Sequence, residues 1–115
     1  MTQTETAHCI SSLLSRLGMT ANYTGFYHTC DAIAICIEKP ECLRLVTKWL
    51  YPEVARHCNT SAKCVERNIR TMVNLSWKKN PKLLSELAQH NLHTKPSNAE
   101  FIAILTAYIR HNNFS

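Results

Sequence analysis

The sequence predicts an all-α fold: a single compact domain of about six helices that contains a helix-turn-helix. Three observations carry the prediction. Apolar residues recur at the three- and four-residue spacing of a helix face through most of the chain. Only two glycines and four prolines occur among 115 residues. Between residues 52 and 77, two amphipathic runs are separated by the short interruption Asn59-Thr60. A chain of this length can bury a core without disulfide or metal staples.

Taken in order, residues 1–7 are expected to form a disordered polar tail, and residues 8–112 the helical domain. Ile10, Leu13, Leu14 and Leu17 mark one face of a first helix that Gly18 terminates. After a loop over residues 19–25, a second helix shows Phe26, Tyr27, Cys30, Ile33, Ala34 and Ile37 inward and stops before Pro40. A third is expected over residues 41–50 with Leu43, Val46, Trp49 and Leu50 buried, and Tyr51-Pro52 imposes a break or bend after it. Pro52 opens the next helix, where a missing N–H is tolerated. Asn59 tolerates the left-handed backbone that closes it, and Thr60 can cap its successor. That successor carries Ala62, Val65, Ile69, Met72, Val73 and Trp77 on one side. Asn80-Pro81 separates a short helix using Leu83, Leu84, Leu87 and Ala88, and residues 90–96 form a loop. Ser97-Asn98-Ala99-Glu100 is a capping box that starts a final helix, with Phe101, Ile102, Leu105, Tyr108 and Ile109 buried.

The stretch over residues 52–79 gives the chain its functional character. Ala55 is small enough for a tight helix crossing, Asn59 suits the turn, and Val65 plugs the second helix into the core. Ser61, Lys63, Glu66, Arg67 and Arg70 are then left facing outward, where they could meet base edges and phosphates. The chain has a formal charge of +5. Seven of its thirteen Lys and Arg residues (Arg56, Lys63, Arg67, Arg70, Lys78, Lys79, Lys82) fall between positions 56 and 82, against the single acid Glu66. Such clustering is the electrostatic footprint of a nucleic-acid binder. Lys63, Arg70, Lys78, Lys79 and Lys82 are expected to attract phosphate. Arg67 can offer a fork to guanine, while Glu66 either accepts from a cytosine amino group or holds Arg67 in one rotamer. The plainer alternative is a helical hairpin with a solvated basic face.

Other classes find less support. No apolar run approaches the roughly eighteen residues of a membrane span, and residues 1–9 lack the pattern of a signal peptide, so a cytoplasmic, nucleoid-associated protein is expected. The six cysteines contain no CxxC pair, and His57, Cys58 and Cys64 have poor ligand spacing, so neither a disulfide framework nor a metal is expected. No catalytic constellation or cofactor loop can be proposed, and an enzyme is not expected. Single-stranded nucleic acid is disfavoured because no aromatics interleave the basic face.

The segments LYPEVARHCNTSAKCVERNIR (Leu50 to Arg70), Leu75-Ser76-Trp77 and KPSNAEFIA (Lys95 to Ala103) together resemble the C-terminal DNA-binding domains of the stage-zero sporulation response regulators, with likeness from about Cys9 to Arg110. The resemblance implies a six-helix domain that binds double-stranded DNA at GC-containing boxes, sits in tandem on repeated boxes, and acts through RNA polymerase and its sigma factor. It also implies that Glu66, Arg67 and Arg70 read bases or grip adjacent backbone, that Ser61 and Lys63 lie in the helix-start region on DNA, and that Lys95, Ser97 and Asn98 lie near phosphates. Two departures stand out: Cys64 replaces a family arginine and Lys63 a family serine. Family members also carry a phosphoacceptor receiver, which this sequence does not show. An excised effector domain or a receiver-less relative is therefore expected. Cys64 and the missing receiver also motivate an alternative, a protein-interaction module that modulates a full-length regulator or the polymerase.

Overall fold

The computed structural model describes residues 2–113. Six α-helices follow one another: α1 (Gln3–Arg16), α2 (Thr24–Glu38), α3 (Tyr51–Cys58), α4 (Ala62–Lys79), α5 (Pro81–Ala88) and α6 (Asn98–Asn113). No strand occurs among the described residues, so the all-α, single-domain expectation holds. A 3₁₀ turn (Pro40–Arg44) and a π-helical turn (Val46–Leu50) connect α2 to α3.

The first helix starts earlier than expected. Residues 3–7 belong to α1 instead of forming a disordered tail. The Thr2 hydroxyl accepts from the Glu5 N–H at 3.1 Å and supplies an N-cap. The apolar stripe begins only at Ile10, so periodicity carries no signal for these first two turns. At the far end Gly18 adopts φ +96°, the left-handed conformation that closes α1 after Leu17.

Helix α2 lies at the centre and packs against α1, α3, α4 and α6. Its buried face is Gly25, Phe26, His28, Thr29, Ala32, Ile33, Ile35 and Cys36. Cys30, Ala34 and Ile37 are only partly buried, and Tyr27, expected inward, is 57% exposed. Apolar residues surround this helix, so the true stripe is rotated by about one residue from the one periodicity suggests.

The expected helix over residues 41–50 is replaced by the 3₁₀ and π turns. Cys42, Val46 and Leu50 are buried, whereas Leu45 and Trp49 are 42% and 44% exposed. A π turn changes which side chains face inward, and that is why Trp49 escapes the core. Of the break or bend expected at Tyr51-Pro52, no break occurs: the π turn passes directly into α-helix there. The Tyr51 N–H donates to the Val46 carbonyl, and the chain runs on into α3. Pro52 occupies the first turn of α3, where its lack of an N–H costs little.

Between α3 and α4 the chain behaves as its residues dictate. Asn59 takes φ 55°, ψ 52°, and the Thr60 N–H donates to the Ala55 carbonyl at 2.9 Å, a Schellman closure. Ser61, rather than Thr60, caps α4, accepting from the Cys64 N–H at 3.1 Å. Val54, Ala55 and Val65 are buried at the crossing. Asn80 caps α5 through Oδ1 (3.2 Å to Leu83 N) and donates from Nδ2 to the Arg16 carbonyl at 3.0 Å, joining the ends of α1 and α4. The capping box of α6 forms as expected. The Ser97 N–H donates to Glu100 Oε1 and the Glu100 N–H to Ser97 Oγ, each at 3.1 Å.

Candidate nucleic-acid interface

Helix α4 turns one face into the core and one to solvent. Val65, Ile69, Met72, Val73 and Ser76 are buried. Opposite them, Lys63, Arg67, Arg70, Asn74 and Lys78 recur at spacings of three or four and are exposed, with Glu66 half-buried beside them. This divides the seven clustered cations. Lys63, Arg67, Arg70 and Lys78 share the outward face of α4. Lys79 does not: its Nζ donates to the Gly18 carbonyl at 3.3 Å, on the side of the helix that faces the core. Lys82 lies on α5, in a shallow hollow that Arg16 and Glu86 also border, and Arg56 pairs with Glu53 on α3.

Within the shared face, Glu66 forms its ion pair with Arg70, one turn on, so it does not hold Arg67. The Arg67 guanidinium donates to a weak acceptor, Cys64 Sγ at 3.7 Å, and the residue is exposed. Cys64 itself is half-buried at the start of α4. A hydrogen bond with the Thr60 side chain, helped by the Arg67 guanidinium, holds its thiol below the usual range. Ser61 sits at the same end of the helix, exposed, with its oxygen committed to the cap. No acidic residue occupies the first turn of α4, so the positive end of its dipole is left uncompensated.

Tertiary packing brings a second segment to this surface. Lys95 is exposed and donates to the side chain of Asn74, on the outward face of α4. Lys95, Ser97, Glu66, Arg70 and Thr47 border one shallow groove of about 400 Å³. Ser97 is exposed there. The start of α6, near which the resemblance places phosphates, is partly engaged already. The Glu100 carboxylate takes the Ser97 N–H, and the Ser97 backbone and side chain keep that carboxyl below its usual range. Asn98 faces inward. Its Nδ2 donates to Tyr51 Oη at 3.1 Å and to the Glu66 carbonyl at 3.0 Å.

Asn74, Thr47 and Tyr51 were not singled out from the sequence. Asn74 lies four residues beyond Arg70 and could have been found by spacing alone. Thr47 is exposed on the π turn that precedes α3, and Tyr51, 5% exposed, lies beneath this surface at the start of α3. Asp31 accepts from His57 Nδ1 at 2.9 Å and links α2 to α3. Among the described residues no group of three or more His, Cys, Asp or Glu could hold a metal ion. No described helix is long and apolar enough to cross a membrane.

The result is a basic, solvent-facing helix face joined through Lys95 to the loop before α6, both carried on the helical core. A family described as sporulation initiation factor Spo0A C terminal matches residues 10–109. That span covers α1 from its first buried residue through to the last buried residue of α6. The chain therefore belongs to the Spo0A C-terminal family, the DNA-binding effector domains of sporulation-initiation transcription regulators.

Proposed function

We propose that this protein is a sequence-specific regulator of transcription that reads double-stranded DNA with α4, the second helix of a helix-turn-helix formed with α3. One observation carries the reading. Lys63, Arg67, Arg70 and Lys78 line the single face of α4 that the core leaves open. Arg67 has no strong partner among the described residues and can present a bidentate fork to guanine O6 and N7 in the major groove. Glu66 is odd on a surface meant only to attract phosphate, because it repels it. It serves as an acceptor for a cytosine amino group while steering Arg70, with which it is paired. Lys63, Lys78, Lys95 and Ser97 supply phosphate contacts that set register and carry no sequence information. The target in this reading is a GC-containing promoter box. Copies sit in tandem on repeated boxes, and the polymerase sigma factor is the downstream partner.

Fluorescence anisotropy on a GC-box duplex and a scrambled duplex, at two salt concentrations, tests the assignment. Arg67→Ala is expected to cost about 1–3 kcal/mol on the preferred duplex and to flatten discrimination. Lys78→Ala is expected to weaken both duplexes alike and to reduce the salt slope by about 1. Lys79→Ala, whose ammonium is turned to Gly18, should change binding least. Equal, sequence-blind losses for Arg67→Ala and Lys78→Ala would overturn these roles. Failure of the parent protein to shift any duplex would instead favour the interaction-module alternative.

A further inference from the structure

We propose that Asn98 and Tyr51 are positioning residues for sequence reading: the Asn98 amide locks the register of α4 against the Lys95–Ser97 anchor and makes no DNA contact of its own. The inference rests on the DNA-reading assignment of α4 and adds a part to it. An asparagine amide has two N–H donors, and both of those on Asn98 are directed into the protein, to Tyr51 Oη (3.1 Å) and to the Glu66 main-chain oxygen (3.0 Å). No side-chain donor of Asn98 remains for a phosphate, although neighbouring Ser97 is exposed. Each bond reaches a different element. Tyr51 is the first residue of α3 and only 5% exposed. Glu66 lies on α4, and Asn98 itself opens α6. One side chain therefore joins three helix segments at a single point.

The place of that point gives it a function. The Glu66 carbonyl belongs to the residue whose side chain lies on the reading face, one turn before its partner Arg70. Lys95 and Ser97 immediately precede Asn98, and Lys95 bonds to Asn74 further along α4. A tie at Glu66 and another at Asn74 set both the rotation of α4 and its distance from the loop. When that loop sits on a phosphate, the same tie decides which bases Glu66, Arg67 and Arg70 reach. Loosening it is expected to blur base choice while the number of phosphates contacted stays the same.

Tyr51→Phe and Asn98→Ala test this on the intact chain. The readouts are the ratio of affinities for a GC-box duplex and for single-base variants of it, the salt slope, and thermal melting. Both substitutions are expected to lower discrimination about three- to tenfold, the scale of one lost hydrogen bond, with an unchanged salt slope. Tyr51→Phe removes one hydroxyl from a packed ring and remains informative should Asn98→Ala fold poorly. Three outcomes would overturn the proposal. In the first, Asn98→Ala reduces the salt slope while Tyr51→Phe is silent, which makes Asn98 a phosphate contact. In the second, both variants melt lower with discrimination intact, which makes the tie purely structural. In the third, neither changes anything. A parent protein that fails to discriminate among duplexes removes the α4 reading itself, and the positioning role falls with it.

Discussion

Gly25 offers a sharp test of how closely α2 and α4 pack. It lies in the first turn of α2, and a Cβ built on it would meet the Asn68 carbonyl oxygen at 2.5 Å, Met72 Cγ at 2.8 Å and the Asn68 carbonyl carbon at 3.2 Å. Met72 can swing aside. Asn68 cannot, because its carbonyl belongs to the middle of α4. Gly25→Ala therefore demands that the two helices separate by about 0.9 Å to restore a contact of 3.4 Å. Overpacking of this kind costs about 1–3 kcal/mol. The better helix propensity of alanine returns about 0.5–1 kcal/mol at most, and less in a first turn. The net loss is about 1–2 kcal/mol, equivalent to a melting temperature lower by about 5–10 °C for a domain of this size. Circular dichroism melts and urea titrations measure it directly. Arg67 immediately precedes Asn68, so the same variant should also weaken binding to duplex DNA. A Gly25→Ala protein that melts at or above the parent temperature would refute the close-approach argument.

Two further predictions concern titratable groups. Burial lowers the pKa of His28 below its ordinary 6.5, against a smaller opposing effect of Asp31. Its Nδ1 lies 3.3 Å from the Asn68 side-chain amide, as befits a neutral ring that accepts a hydrogen bond. The unfolded chain then binds a proton that the native state refuses. Stability is full above the unfolded pKa and falls, by at most about 1.4 kcal/mol per pH unit, as the pH drops through 6.5 toward the lower folded value. Urea midpoints between pH 5 and 8 should show this slope, and His28→Gln should flatten it; a slope identical in both proteins would count against it. Among the thiols, burial pushes Cys30 up to about 11 and Cys36 up to about 12, whereas Cys64 is held below its usual range by the Thr60 hydrogen bond and the Arg67 charge. Iodoacetamide with peptide mapping should label Cys64 well before either of them, and a bound duplex should slow that labelling. Equal labelling of Cys36 and Cys64 in the native protein would contradict the packing described.

What could be read before the fold was known follows a physical pattern. The left-handed Asn59, the Ser97–Glu100 capping box and the Asn80-Pro81 boundary were all legible, because each depends on residues within one turn of one another. Most of the core stripe of α4 was legible too (Val65, Ile69, Met72 and Val73), since apolar and charged residues separate there by spacing, but Ser76 is buried while Ala62 and Trp77 are only partly so. The stripe of α2 was harder: apolar residues surround that helix, and only its neighbours decide that Phe26 is buried and Tyr27 exposed. Trp49 and the helix expected over residues 41–50 were misjudged for a related reason. A π turn preserves apolar content while changing which side chains point inward.

By itself, then, the chain determined that it would be helical, where most helices would stop, and that α4 would carry an acid among arginines and lysines on its open side. These properties follow from local hydrogen bonding and from periodicity, which act along the backbone. Only the tertiary structure decided which cations share a surface. It turned Lys79 to the Gly18 carbonyl, set Lys95 against Asn74, and directed the Asn98 amide to Tyr51 and Glu66 instead of outward. Those distances depend on how helices far apart in sequence pack around α2, and no local pattern encodes the orientation of one packed helix relative to another.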